Sequence, residues 1–131
     1  MSDAPACNLP DVLTEVTAAF ERYERALVGN DIATLDALFH AAPTTVRYGA
    51  TENLYGIDEI RAFRAARSPA GLARRLRRTV ITSWGRDFAV ASTEFIREGD
   101  DRIGRQQQTW VRFPDGWKVV AAQVSWLASP A

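Results

Sequence analysis

The sequence predicts an α+β domain in which N-terminal helices pack on a strongly curved antiparallel sheet. Three observations carry this expectation. Apolar residues recur at helical spacing between residues 12 and 27, and the pattern turns strand-like after residue 44. The strand candidates beyond residue 75 are joined by short turns containing Gly and Asp, which connect antiparallel neighbours without crossover helices.

The elements follow in order. Pro10 suits the first turn of a helix, Val12, Val16, Phe20, Tyr23 and Leu27 form its apolar stripe, and Gly29-Asn30 supplies the stop. Asp31 can cap a short second helix whose inner side carries Ile32, Leu35, Leu38 and Phe39. At its end His40 would suit the helix dipole as a cation. Thr44 to Tyr48 is β-branched and aromatic and reads as a strand, with Glu52 to Tyr55 as a partner or extended loop. Ile57, Ile60 and Phe63 mark a third helix, capped near Asp58 and ended by Ser68-Pro69-Ala70-Gly71, with Arg61, Arg64 and Arg67 sharing one face. Four strands follow, at about Arg75 to Trp84, Phe88 to Arg97, Ile103 to Phe113 and Trp117 to Leu127. Residues 1–9 are expected to be a disordered N-terminus and residues 10–131 a single domain.

Composition narrows the function. The chain has 131 residues, 47% hydrophobic and 24% charged, with sixteen Lys+Arg against sixteen Asp+Glu. That balance fits one globular domain and gives no global field favouring nucleic acid or an anionic membrane. The arginines are nonetheless clustered: eight lie between residues 61 and 86, a stretch without an acid. Such a stripe reads either as a solvated face or as a specific anion site. One cysteine and one histidine cannot build a Cys/His zinc site within a chain. No phosphate loop, nucleophile elbow or dinucleotide fingerprint is present, so neither metal nor cofactor is expected. No signal-like or membrane-length apolar stretch occurs, which points to a cytoplasmic location.

A tight turn at Gly99-Asp100 would place Glu94 opposite Arg105 and Ser92 opposite Gln107. A three-residue loop at Pro114-Asp115-Gly116 would set Phe113 opposite Trp117, Gln107 opposite Gln123 and Arg105 opposite Ser125. One face then mixes Phe88, Val90, Ile96, Ile103, Val111, Phe113, Val119 and Ala121 with Ser92, Glu94, Arg105, Gln107, Gln123 and Ser125. This mixture reads either as a substrate cavity or as a structural Glu94–Arg105 pair with glutamines partly in water. The other face carries Phe95, Gln106, Gln108, Trp110, Arg112, Ala122, Val124 and Trp126. It is expected to be a homodimer interface centred on Trp110, Val124 and Trp126.

Tyr23 reads by position as a core aromatic whose hydroxyl reaches a rim or partner. Arg47, between Val46 and Tyr48, points either into water or inward as a fixed cation, and an inward arginine needs an anion. An arginine beside a tyrosine in a half-apolar cavity would favour the phenolate and pass a proton at neutral pH without metal or nucleophile.

Several segments bear a family resemblance. Val46-Arg47-Tyr48-Gly49, Glu52-Asn53-Leu54-Tyr55-Gly56, Ile60-Arg61-Ala62-Phe63-Arg64 with Arg67, Arg77-Arg78-Thr79 and Trp84-Gly85-Arg86-Asp87-Phe88-Ala89 come first. Gly104-Arg105-Gln106-Gln107-Gln108-Thr109-Trp110 and Gly116-Trp117-Lys118-Val119-Val120-Ala121-Ala122 follow, so nearly the whole chain is covered. It resembles the AtzH-like family, which includes proteins similar to the oxalurate-catabolism protein HpxZ, within the SnoaL-like, nuclear transport factor 2-like superfamily of cone-shaped, cystatin-like domains. The resemblance implies a pocket and commonly a dimer. It also implies a decarboxylating amidohydrolase of cyanuric acid catabolism, converting 1,3-dicarboxyurea to allophanate, with Tyr23 and Arg47 at the positions linked to activity. The family pattern reads Ala-Ala-His-Val-Ser in the last strand, where this chain has Ala121-Ala122-Gln123-Val124-Ser125. Glutamine hydrogen-bonds but does not carry protons as histidine does.

The expected function is therefore a metal-free enzyme for a carboxylated urea or ureido acid. Arg47 would clamp a carboxylate and Tyr23 give the proton, with Arg64, Arg67 or Arg105 holding a second carboxylate and Glu94, Gln107, Gln123 and Ser125 lining the site. The alternative is a non-catalytic dimeric accessory protein for a neighbouring amidase of ureide breakdown. RNA binding through the arginine stripe is disfavoured by neutral net charge and the lack of an aromatic stacking motif.

Overall fold

The computed structural model describes residues 3–128. Helix α1 (Pro10–Val28) starts on the proline its first turn tolerates and ends at Gly29. Helix α2 (Ile32–Leu38) is capped by Asp31, whose carboxylate accepts hydrogen bonds from the Thr34 amide and hydroxyl. Strands β1 (Val46–Tyr48) and β2 (Asn53–Tyr55) form a short hairpin before helix α3 (Ile57–Ala66). The long strands β3 (Arg74–Trp84), β4 (Phe88–Arg97), β5 (Gly104–Phe113) and β6 (Gly116–Trp126) complete a six-stranded curved sheet ordered β2-β1-β6-β5-β4-β3. Among the described strands, the β1–β6 pairing is parallel and the other strand pairings are antiparallel, with an isolated parallel bridge between Phe39 and Val119.

Register between β4 and β5 is as expected, with Ser92 opposite Gln107 and Glu94 opposite Arg105. Between β5 and β6, Gln107 pairs with Gln123 and Arg105 with Ser125, but Phe113 faces Gly116 and Arg112 faces Trp117. The turn is thus two residues, Pro114-Asp115, and a β-bulge between Thr109 and Trp110 takes up the residue that a three-residue loop would have used.

That bulge changes which residues face inward. Below it, Trp117 and Val119 are buried with Trp110; above it, Ala122 is buried beside Gln108. Reading one unbroken alternation along β6 therefore assigns the faces wrongly. The core is formed by the stripe of α1 (Val12, Val16, Phe20, Tyr23, Leu27), by Leu35, Leu38 and Phe39, and by Ala89, Ala91, Trp110, Trp117, Val119 and Ala122 of the sheet. The face expected to be a dimer interface is the one this chain's own helices cover. Trp110 is 0% exposed within the single chain, so it cannot meet a second copy.

Two local expectations are also corrected. The N-terminal segment is not frayed throughout. Gly85 N–H donates to Ala6 O, Asn8 N–H to Ser83 O, and Ser83 N–H to the Asn8 side chain, tying residues 6–8 to the edge of β3. His40 lies beyond the end of α2 and stacks on Phe113, with ring centroids 4.1 Å apart and planes 10° off parallel. Among the described residues, no helix is long and apolar enough to cross a membrane.

Candidate functional site

Arg47 lies on the inner face of β1. Its register neighbours are Leu54 on β2 and Ala122 on β6, and the row continues through Gln108 and Ala91. Leu54, Ala122, Gln108 and Ala91 are all buried, so alternation carries Arg47 inward with them. Its Nη1 donates to Glu52 Oε1 at 3.0 Å, and its guanidinium lies 5.4 Å from the centre of the Phe63 ring.

A cavity of about 330 Å³ opens here. Arg47, Thr51 and Glu52 form one wall; Phe63, Arg67 and the 68–72 connection form another; Arg97, Val124 and Trp126 close it from the sheet. Arg67 reaches it because α3 stops at Ala66 and Arg67 is already extended, with φ −73° and ψ 136°. Its guanidinium is 5.8 Å from the same Phe63 ring, so one aromatic ring holds two cations. Arg97 stacks against both Phe95 and Trp126.

Electrostatically the site is short of anions. Arg67 Nε and Nη2 and Arg97 Nε are buried without a hydrogen-bond partner. Burial holds both guanidiniums below their ordinary proton affinity. For Arg67 the neighbouring Arg47 adds to this while Tyr23 opposes it; for Arg97 the charge of Arg74 adds to it. Glu52 is the carboxylate in the wall. Burial pushes its carboxyl up, but the Thr51 hydroxyl and Arg47 outweigh burial and hold it below the ordinary value. Buried donors without acceptors are costly in a finished core and are what an acceptor-rich ligand would satisfy.

Tyr23 is 4% exposed on the inner stripe of α1, packed against Phe39 at 6.2 Å between ring centroids. It is near enough for Arg67 to respond to its charge. Tyr23 is not among the residues lining the cavity, whereas Arg47 and Arg67 are.

Other expected site residues lie elsewhere. Arg64 is buried over Phe39 and donates to Asp36 at 2.8 Å, outside the cavity lining. Arg61 is exposed, because residues three apart drift by roughly 60° around a helix and six apart by roughly twice that. Glu94, Arg105, Gln107, Gln123 and Ser125 line an open groove on the opposite face of the sheet. There Glu94 pairs with Arg77 at 3.0 Å in place of the expected Arg105, and Gln107 donates to Ser92. Gln123, where the family pattern has histidine, belongs to that outer groove, so a histidine at this position would not face the arginine cavity. Val124 and Trp126, expected at a dimer interface, line the cavity itself.

The residues missed by sequence reasoning are Arg97, Glu52, Phe63 and Trp126. Arg97 shares its parity with Phe95, so the inverted assignment of faces hid it. A lone acid five residues after Arg47 was the available signal for Glu52.

The family model for AtzH-like proteins matches residues 5–130. The chain belongs to the AtzH-like family. It is 65% identical to a protein of unknown function from Pectobacterium atrosepticum, covering 93% of this chain and 95% of that one at a TM-score of 0.92. A cystatin-like fold protein from Burkholderia xenovorans is 51% identical over 96% of this chain and 99% of that one, also at 0.92. A nuclear transport factor 2-like superfamily protein from Salmonella enterica shares the fold at 23% identity, covering 92% of this chain and 94% of that one with a TM-score of 0.73. No curated protein matches the chain. Family and fold together make this AtzH-like chain a small-molecule-binding or catalytic domain.

Proposed function

We propose that the protein is an enzyme that admits a carboxylated urea or ureido acid to the Arg47–Arg67–Arg97 cavity and removes a carboxyl group from nitrogen. The observation that carries this reading is the set of buried, unpartnered guanidinium donors on Arg67 and Arg97 beside Arg47. Carboxylates match guanidinium geometry and would supply the missing acceptors. The AtzH-like resemblance supplies the reaction type, as in 1,3-dicarboxyurea going to allophanate.

In this mechanism the arginines fix the substrate carboxylates, and the urea nitrogen is turned toward Tyr23. The bond between that nitrogen and the leaving carboxyl carbon breaks, carbon dioxide departs, and the bonding pair stays on nitrogen. The Tyr23 O–H gives nitrogen its proton, and the tyrosinate is reprotonated from water. Fixing both ends of the substrate holds the reacting nitrogen at its acid.

The test is a thermal-shift series with oxalurate, allophanate and malonate, with uncharged biuret as control, followed by an assay for released carbon dioxide on 1,3-dicarboxyurea and other ureido acids. The three carboxylates are expected to raise the melting temperature and biuret is not. Arg47→Ala should abolish the shift and the turnover; Tyr23→Phe should keep the shift and lose turnover by at least about 100-fold. Wild-type rates in Tyr23→Phe would remove that residue from the mechanism. A shift without turnover in the wild type would favour an accessory module, sought by copurification with an amidase.

A further inference from the structure

A cavity lined by three arginines gains nothing for anion binding from a carboxylate in its wall, yet Glu52 is held there by dedicated contacts. Its Oε2 accepts from the Thr51 hydroxyl at 2.6 Å and the Thr51 amide at 3.2 Å, while Oε1 accepts from Arg47 Nη1 at 3.0 Å. The turn is closed by Gly49 N–H donating to Glu52 O at 2.8 Å. Room for the carboxylate exists because residue 49 has no side chain: a Cβ there would lie 1.8 Å from Glu52 Oε1. Gly49 does not have a positive φ, so space and not backbone conformation is what glycine provides.

We propose that Glu52 is a positioning residue: it grips one end of the Arg47 guanidinium against the Phe63 ring, leaving the rest of the fork aimed into the cavity for a ligand carboxylate. This rests on the anion-pocket reading above. An arginine carries five N–H donors in a rigid plane, and the single Glu52 contact engages one nitrogen. Without that contact the side chain is free to swing toward solvent, and the ordering cost falls on the ligand. Glu52 also offsets part of the repulsion between Arg47 and Arg67, which share Phe63.

The alternative, that Glu52 is only a neighbouring negative charge, predicts the opposite sign, because removing a like charge tightens anion binding. Malonate affinity measured by calorimetry decides between them, using wild type, Glu52→Ala, Glu52→Gln, Gly49→Ala and Arg47→Ala, with each variant's fold checked by circular dichroism and its melting temperature. Glu52→Ala and Gly49→Ala are expected to weaken malonate about tenfold, the second by evicting a chemically intact carboxylate. Glu52→Gln keeps an acceptor for Arg47 and is expected to restore binding to within about threefold of wild type. Unchanged or tighter binding in folded Glu52→Ala, with loss in Arg47→Ala, would overturn the role of Glu52 and leave the anion pocket standing. No malonate binding by the wild type would overturn both.

Discussion

Arg67 shows how a functional cation burdens a fold. Its lowered proton affinity means that the folded chain holds this proton less tightly than the unfolded chain does. For a base, that penalty is complete at every pH below the folded value and fades only as pH climbs through it toward the ordinary guanidinium value. It is therefore constant across the neutral range, and an anion relieves it where pH does not. Replacing Arg67 with Met, similar in length and without donors, is expected to stabilise the ligand-free protein by about 1 kcal/mol, the low end for removing a buried charge because this head group is only partly buried. Melting curves should show a rise of a few degrees, about 2–6 °C, together with loss of the malonate-induced shift. A fall in melting temperature would show that Arg67 is held by contacts that matter to folding.

At the scale of elements, the bulges position the site. On β3 the register shifts between Arg77 and Val80, with Arg78 at φ 53°, and on β6 it shifts opposite Thr109 and Trp110. Each bulge keeps the ladder paired while exchanging which parity points inward, so the polar end of β6 presents Val124 and Trp126 to the cavity. Gly104 is a second element-scale requirement. Phe95 is completely buried across from it, stacked by Arg74 and Arg97 and in edge contact with Trp126, and a Cβ at residue 104 would lie 2.2 Å from the Phe95 ring. Gly104→Ala forces that ring, and with it Arg97, to move. Chemical denaturation is expected to show a loss of about 1–3 kcal/mol, and anion binding should weaken with it. Wild-type stability would show that the ring has space to retreat.

For the molecule as a whole, the helices share the inner sheet face, and residues 6–8 finish its far edge. Residues 6–8 pair with β3, whose outer edge would otherwise present unpaired backbone groups beside the exposed Val80 and Trp84. Deleting residues 1–8 is expected to lower stability by about 1–2 kcal/mol and to raise the rate of aggregation seen by light scattering. A truncated protein as stable and soluble as the full chain would show that this pairing contributes nothing. The site itself is at the opposite side of the sheet, near β1, so malonate binding should survive the truncation.

Local rules decided much of this protein before tertiary structure entered. The stripe from Val12 to Leu27, the Asp31 cap and the Gly29 stop each depend on a few neighbouring residues and are found where periodicity and capping place them. The β4–β5 register is also as expected, but the turn centres on Glu98-Gly99, with Asp100 N–H donating to Arg97 O, inside a longer 98–103 connection. The inward Arg47 was one of two facings that the sequence left open, and the family resemblance singled it out with Tyr23. Which face of the sheet the helices cover was decided by the tertiary structure, because alternation sorts the strand residues into two sets without saying which set packs on the helices, and the β6 bulge moves Val119 from one set to the other. For that reason Glu94, Arg105, Gln107, Gln123 and Ser125 lie on the outer groove, Trp110 lies in the core, and Arg97 and Glu52 complete a cavity that alternation alone could not assemble.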